Sequence, residues 1–494
     1  MRIAKSACLI AFLSFISVCI PLSVAQEGAS LGDVARRLRN EKSSRPAVSP
    51  VTRATAGAPA GKPTTSDKES VLLTAPGSAN TIDEETVPYG KRIRDLFIAG
   101  KFAELDQIAD AVRVSKARLV GSPWAIRVIY SVMDRPTEGN DDSSDADWDE
   151  HFALLKRWIA SRPDSITARV ALAESYEQFG WRARGSRYAD SVSEGGWRLF
   201  NDRVQLALDT LNDPFFDKHK DPEWFLERQS IAKVQGAEAP ERKAIFEKAV
   251  AFDPDYQYFY RTQAEMLLPK WYGNGTDAAE FAKLASDQIG GKKGDYIYYQ
   301  IGAYIWCHCD NKTDYEAMDW ARIKRGFQVE NEMFGLSNFE LNRMARMATL
   351  GDDAKYADEL LTRIHDDWEP EVWTDRKTFD DTKAWAKSAL QVATINEGMR
   401  SVSNNLKTDA GRDYFKKVGE VFAANYSEVV RKCSAGDGSN PLLLLIAKDG
   451  TVEKRYSAFM TPGGDCMITQ LQNPTFPAPP QAPYWVVVNP KLQP

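Results

Sequence analysis

Cysteine and histidine meet at one place in this chain, the triplet Cys307-His308-Cys309, and thiolate beside imidazole is the chemistry of soft-metal binding or redox exchange. A zinc site needs four ligands converging as a tetrahedron, yet the other histidines, His151, His219 and His365, stand apart with no partner spacing. On a helix, moreover, positions two apart face nearly opposite sides. Cys307 and Cys309 are therefore weak candidates for a metal or redox role, and the expectation is no metal and no cofactor. A haem attachment needs Cys-x-x-Cys-His and is excluded. Gly273-Asn-Gly-Thr-Asp-Ala278 matches the dinucleotide-binding letters, but it follows a helical stretch instead of a strand, so no crevice would hold a pyrophosphate. Gly28-Ala-Ser-Leu-Gly32 imitates a nucleophile elbow with no strand before it. Asp141, Asp142, Asp145, Asp147, Asp149 and Glu150 bunch together, yet the glycine and the bidentate carboxylate of a calcium loop are replaced by Glu150 and Lys156.

Aromatic residues are the remaining concentration. Tyr256, Tyr260, Trp271, Tyr272, Tyr298 and Tyr299 form the candidate binding surface, because Tyr and Trp join an apolar body to a polar tip. The preferred reading of the region as a whole is core between stacked helices, with a partly exposed groove as the alternative: Tyr296-Ile-Tyr-Tyr299 points all round a helix, so part of that run must be buried. An enzymatic alternative places a site within 253–306 using Asp253, Asp255 or Glu265. Catalysis requires convergent groups with shifted pKa values, which a sequence does not display, and no catalytic residue is assigned.

The elements that must position these residues follow from the rest of the chain. Its 494 residues exceed what one hydrophobic core organises, and 43% hydrophobic against 27% charged residues fits globular domains plus a polar segment. A net charge of -6, without a Lys/Arg stripe interleaved with aromatics, sets nucleic acid aside as a partner. Arg2 and Lys5, the apolar run from Ala7 to Val24 and the small residues of Ser23-Val24-Ala25 read as a signal peptide over 1–25. Cleavage after Ala25 would leave a periplasmic or secreted protein with no integral membrane role. Residues 26–88, rich in Ala, Ser, Thr, Pro and Gly and without an aromatic residue before Tyr89, read as a disordered linker.

From Tyr89 onward the apolar period becomes helical. Ile93, Leu96 and Phe97, then Gly100-Lys101, then Leu105, Ile108, Ala109 and Val112 predict a helical hairpin. A helix over 167–179 is expected to break at Gly180, with the next starting near Arg182. Further helices fit 241–252, 276–289, 295–306, 315–327, 338–350, 352–365, 376–392 and 412–430. Short helices joined by brief Gly/Asp/Pro turns cannot bury their stripes alone, so they must stack in pairs as an α-solenoid. The pattern then changes: Pro441-Leu-Leu-Leu-Leu-Ile-Ala447 and 451–459 read as a hairpin closed by Asp449-Gly450, followed by a short helix near 464–472 and a last strand, Tyr484-Trp-Val-Val-Val488.

Ala244-Ile-Phe-Glu-Lys-Ala-Val-Ala-Phe-Asp-Pro254 resembles the second helix of a tetratricopeptide repeat. The stretch from Leu96 to Trp373 resembles a bacterial family of exported tetratricopeptide-like domains, through Gly100-Lys-Phe-Ala-Glu-Leu-Asp106, Met266-Leu-Leu-Pro-Lys-Trp-Tyr-Gly273, Asn342-Arg-Met-Ala-Arg-Met-Ala348 and Gly351-Asp352. Lys448-Asp-Gly-Thr-Val452 between two strands and Phe476-Pro-Ala-Pro-Pro480 before the last are similar to the C-terminal domain of the TonB family, although the Glu-Pro/Lys-Pro spacer of energy transducers is missing. These resemblances imply a mainly α chain: a tetratricopeptide-like α-solenoid over 89–405, then a small α+β module over 406–494 that docks by a sheet edge or forms a homodimer. Cys433, just before the first strand, and Cys466, at the start of the short helix, are close enough in so small a module to pair after export. A bridge closing about 30 residues would stabilise it by roughly 3–4 kcal/mol. The functional expectation is a periplasmic scaffold for a protein or peptide partner.

Overall fold

The computed structural model describes residues 84–137, 143–185, 191–308, 315–433 and 441–489, together with Gly32, Ala35–Arg37, Arg39 and Asn40. The expected signal peptide, most of the expected linker, Cys309 and the side chain of Cys307 lie outside the described residues. The chain divides into two compact units, one running to Asp352 and regaining Leu360–Thr378, the other formed by Asp353–Glu359 and the chain from Phe379 onward.

The first unit is helical. Its elements are α1 (Thr86–Ile98), α2 (Phe102–Ser115), α3 (Ala125–Ser131), α4 (Asp145–Ser161), α5 (Ile166–Arg184), α6 (Glu194–Leu211), α7 (Pro222–Val234) and α8 (Ala239–Phe252). They continue with α9 (Gln257–Met266), α10 (Asp277–Ile289), α11 (Gly291–His308), α12 (Trp320–Phe334), α13 (Asn338–Leu350), α14 (Ala354–Ile364), whose residues up to Glu359 count with the second unit, and α15 (Pro370–Trp373). The expected hairpin at Gly100 forms: Tyr89, Ile93 and Phe97 bury one stripe of α1, Gly100 takes a φ of 66° that favours glycine, and Leu105, Ala109 and Val112 bury the facing stripe of α2. Side-chain oxygens of Ser144, Ser165, Ser193, Asp221, Asp319 and Ser337 accept first-turn backbone N–H groups and so fix where their helices begin.

Packing follows an alternating rule. Each even-numbered helix from α2 to α12 lies against an odd-numbered neighbour, while the odd helices also touch one another in succession, α1 to α3 and onward through α5, α7, α9, α11 and α13 to α15. The odd helices thus form a continuous row flanked by the even ones. Whereas α1 at the end of the row buries a single stripe, burial is most complete in α3, where every residue except Ser131 is buried. Such a helix must match every polar group it carries.

Gly180 does not break a helix. It lies inside α5 and faces α6, where a Cβ would meet the Val204 side chain at 3.2 Å and Phe200 at 3.4 Å. Its lack of a side chain serves the close approach of α6, whose first turn starts only at Glu194. Gly326 does the same for α12: a Cβ there would sit 2.1 Å from the Asp295 carbonyl oxygen. The helix expected over 315–327 is correspondingly displaced to α12, and that expected over 376–392 extends to Asn405.

The second unit holds α16 (Arg376–Asn405), α17 (Asp409–Cys433), β1 (Leu442–Ile446), β2 (Val452–Ser457), α18 (Pro462–Gln470) and β3 (Tyr484–Val488). The strands form a sheet ordered β2-β1-β3 with both pairings antiparallel, and Gly450 closes the β1–β2 hairpin at a φ of 87°. Five consecutive apolar residues suit β1 because both faces are covered. Leu442, Leu444 and Ile446 pack with Val418 and Phe422 of α17, whereas Leu443 packs with Ile395 and Val402 of α16. That contact assigns α16 to the C-terminal sheet, so the boundary expected at 405 falls earlier in the chain. Cys433 and Cys466 form a disulfide with their Cα atoms 5.5 Å apart, tying the end of α17 to α18.

Candidate binding cleft

The aromatic residues do not form a surface. Tyr256, Tyr260, Trp271, Tyr298 and Tyr299 are buried in the first unit, and Tyr272 is half-buried. Their hydroxyl and indole groups work as internal donors: Tyr256 to Glu223, Tyr260 to the Pro254 carbonyl at 3.0 Å, and Trp271 to Glu265 at 3.2 Å. Tyr298 accepts from the Asp319 N–H at 2.7 Å, Tyr299 accepts from Arg343 at 2.8 Å, and Tyr272 donates to the Lys233 carbonyl. The Tyr272 ring lies under Arg242, 3.8 Å away, and under Arg36, 5.2 Å away. Arg36 belongs to helical residues inside the stretch read as linker, where Gly32 contacts the Trp271 carbonyl and Ala35 contacts Gly236. The expected recognition surface is therefore corrected to core, because a row helix covered on every side needs the area of large rings to fill it.

The carboxylates of the enzymatic alternative do not converge. Asp253 pairs with Lys116 at 2.9 Å and accepts the Asp255 N–H, while Asp255 pairs with Lys293. Glu265 lies elsewhere, on α9, held by Lys233 at 2.8 Å and Tyr304 at 3.0 Å. Among the described residues no group of three His, Cys, Asp or Glu is arranged to hold a metal ion, and no helix is long and apolar enough to cross a membrane.

What the row brings together instead is a set of glutamates. Glu174 and Glu177 are three apart on α5, and Glu223 and Glu227 are four apart on α7, so each helix aims two carboxyl groups along one face. Arg127 of α3 enters this set, donating to Glu174 at 3.2 Å and to Glu223. Glu177 accepts from Ser230 at 2.8 Å and from the Trp181 indole at 3.2 Å. Two oxygens remain: Glu174 Oε2 and Glu227 Oε1 are buried and meet no N–H or hydroxyl donor among the described residues, although the Glu174 carboxyl lies against that of Glu223 and the Glu227 carboxyl against that of Glu177. Both residues line a narrow cleft whose other walls include Gln178, Ser230, Lys233 and Tyr304, with about 20 Å³ of free space, room for about one water-sized group.

Burial dominates the electrostatics. It pushes the Glu227 carboxyl well above the usual range, with Glu177 and Glu174 adding like-charge repulsion. Glu174 is raised in the same way by burial, against the opposing pull of Arg127. Burial also raises Glu223. For Arg127 burial alone would lower the pKa, but Glu223 and Glu174 together hold it above its ordinary value. The cleft is thus a low-dielectric opening rich in carboxyl oxygens, two of them unmatched. Sequence reading missed these glutamates, although a signal was present: Val170, Glu174 and Glu177 fall on one i, i+4, i+7 stripe, so the carboxylates occupy positions that ought to be apolar.

Compared with protein-family models, with curated proteins and with solved structures, the chain matches none. The functional reading therefore rests on this geometry.

Proposed function

We propose that the chain is an exported binding scaffold: a tetratricopeptide-like α-solenoid that holds a protein or peptide partner at the cleft between α5, α7 and α9, with a C-terminal module that docks or self-associates. The observation that carries it is the pair of buried, unmatched oxygens on Glu174 and Glu227 lining an opening. Leaving buried polar atoms unmatched costs about 1–3 kcal/mol each, a cost that a bound donor removes. The alternating row supports the solenoid reading, since hairpins stacked through one helix of each pair make that contact pattern. The disulfide supports an oxidising compartment, and with it the cleavable signal. Edge strands β2 and β3 support docking of the C-terminal module through added strand pairing or dimerisation. A photo-crosslinking residue placed at Gln178, on the cleft wall, tests the reading in cells. It is expected to trap a discrete protein adduct that the same residue at exposed Val114 does not. Identical adducts at both positions, or none at either, would sink it.

A further inference from the structure

We infer that the cleft receives an ammonium group, the side chain of a lysine carried by the partner; this deepens the scaffold reading and rests on it. Five carboxyl groups, Glu174, Glu177, Glu223, Glu227 and Glu265, surround two cations, Arg127 and Lys233. Arg127 pairs with Glu174 and Glu223, and Lys233 with Glu265, and no ion pair among the described residues joins either cation to Glu227. The unmatched oxygens come from two different helices and are more than nine-tenths buried, with Glu174 4% and Glu227 5% exposed. An ammonium carries three donors on a compact charge and can bond oxygens from separate walls at once. A guanidinium is a planar fork that prefers both oxygens of one carboxylate. Glu174 and Glu227 each offer a single open oxygen, which fits the ammonium.

A proton consequence follows. In the empty cleft burial, with Glu177 and Glu174 beside it, shifts Glu227 toward its neutral form. An arriving ammonium makes the anion favourable, so binding releases a proton to solvent. Affinity then rises with pH until the carboxyl is ionised without ligand. The charged and titratable groups facing Glu227 are Glu174 and Glu177 of α5, Lys233 of its own helix, Arg127 of α3, Glu265 of α9 and Tyr304 of α11.

The experiment uses the full chain and the peptide acetyl-Ala-Lys-Ala-amide, with the glutamine analogue as control, in calorimetric titrations between about pH 6 and pH 8. The lysine peptide is expected to bind at least about tenfold more tightly than the glutamine peptide, since charge-assisted bonds exceed neutral ones. Its affinity should rise by up to about tenfold per pH unit, with the heat changing between buffers of different ionisation enthalpy as a proton is released. Glu227→Gln, close in shape to the neutral acid, should abolish both the lysine preference and the pH slope. Equal binding of the two peptides, a flat pH profile, or an unchanged Glu227→Gln variant would overturn the inference. Should that variant fail to fold, the peptide comparison and the pH profile of the native chain still decide. Tighter binding of 1,5-diaminopentane than of the peptide overturns the assignment to a partner's lysine. An adduct at Gln178 without lysine preference removes this inference and leaves the scaffold reading standing. Lysine preference without an adduct removes the scaffold reading.

Discussion

Acidification should destabilise the helical unit through one residue, His151, and the size of the effect can be worked from its surroundings. The imidazole lies on α4, 5% exposed, among the rings of Phe97, Trp148 and Phe152, with Nε2 3.1 Å from the Ser175 hydroxyl. Burial, reinforced by the Arg94 charge, depresses its pKa from 6.5 to about 4. In the unfolded chain the ring recovers its ordinary value, so between these limits the unfolded state binds more protons. The stability His151 contributes is therefore fully present above about pH 6.5 and is lost as the pH falls toward 4. A shift of about 2.5 units corresponds to about 3.4 kcal/mol over the whole window, of which about 2 kcal/mol is lost between about pH 7.5 and pH 5. The test compares native protein with His151→Gln by urea unfolding at these two pH values, followed by circular dichroism. The variant starts less stable because its aromatic contacts are gone, but the decisive quantity is the slope. Buried glutamates such as Glu227 and Glu174 have raised folded pKa values, so their contribution is present at low pH and lost as pH rises, and this background is common to both proteins. Native protein should lose about 2 kcal/mol more than the variant on acidification. Equal losses would refute the claim that this ring is held neutral by burial.

Three further outcomes are expected. Reduction, or Cys466→Ala, opens a loop with a sequence separation of 33 and should destabilise the C-terminal unit by about 3.7 kcal/mol in the chain-entropy model, read from its urea midpoint by Trp485 fluorescence; an unmoved midpoint contradicts it. Gly326→Ala places a Cβ 2.1 Å from the Asp295 carbonyl oxygen and 2.5 Å from the Tyr299 Cβ, so α12 must shift; thermal unfolding should show a loss of about 1–3 kcal/mol, and an unchanged melt means the helices are not this close. Arg127→Met strips Glu174 and Glu223 of their shared cation inside the row and should cost about 3–5 kcal/mol by chemical unfolding near neutral pH, whereas a loss below about 1 kcal/mol would show the pair to be solvated.

The sequence was most readable where local chemistry alone decides the outcome. Gly100 ends α1, Asp253-Pro254 ends α8, and Asn338–Leu350 and Tyr484–Val488 form over the residues expected, because a turn residue or a continuous apolar period fixes each boundary. The Cys433–Cys466 bridge was legible for the same reason, since few arrangements of so small a module keep its cysteines apart. Gly180 misled because a glycine reads identically whether it ends a helix or admits a neighbour; only the presence of Phe200 and Val204 across the gap decides. The aromatic region was legible as core, as Tyr256 and Tyr299 show, but not to the point of excluding a surface. Amphipathic rings suit a surface and a polar core equally, and the choice depends on donors and acceptors placed by other helices, such as Glu223 for Tyr256 and Arg343 for Tyr299.

The glutamates carry the same ambiguity one step further: an unmatched carboxyl oxygen also occurs at buried Glu330, away from the cleft, so it is the opening beside Glu174 and Glu227 that sets them apart. Asp106 is matched on both oxygens, by Ser165 at 2.6 Å on one and by Arg162 at 3.0 Å on the other. Asp221 is likewise matched, by the Trp224 N–H at 2.9 Å and by Arg113 at 3.2 Å. Both sit where a helix begins or two hairpins join, and folding alone accounts for them. Glu174 and Glu227 lie on row helices and are as deeply buried, yet each keeps an oxygen toward an opening with no N–H or hydroxyl donor among the described residues. Glu174 is retained by its pair with Arg127, but no ion pair among the described residues holds Glu227, where glutamine or methionine would fold at lower electrostatic cost. Two such departures on facing helices, at the wall of one cleft, are the observation on which the proposed donor from outside rests.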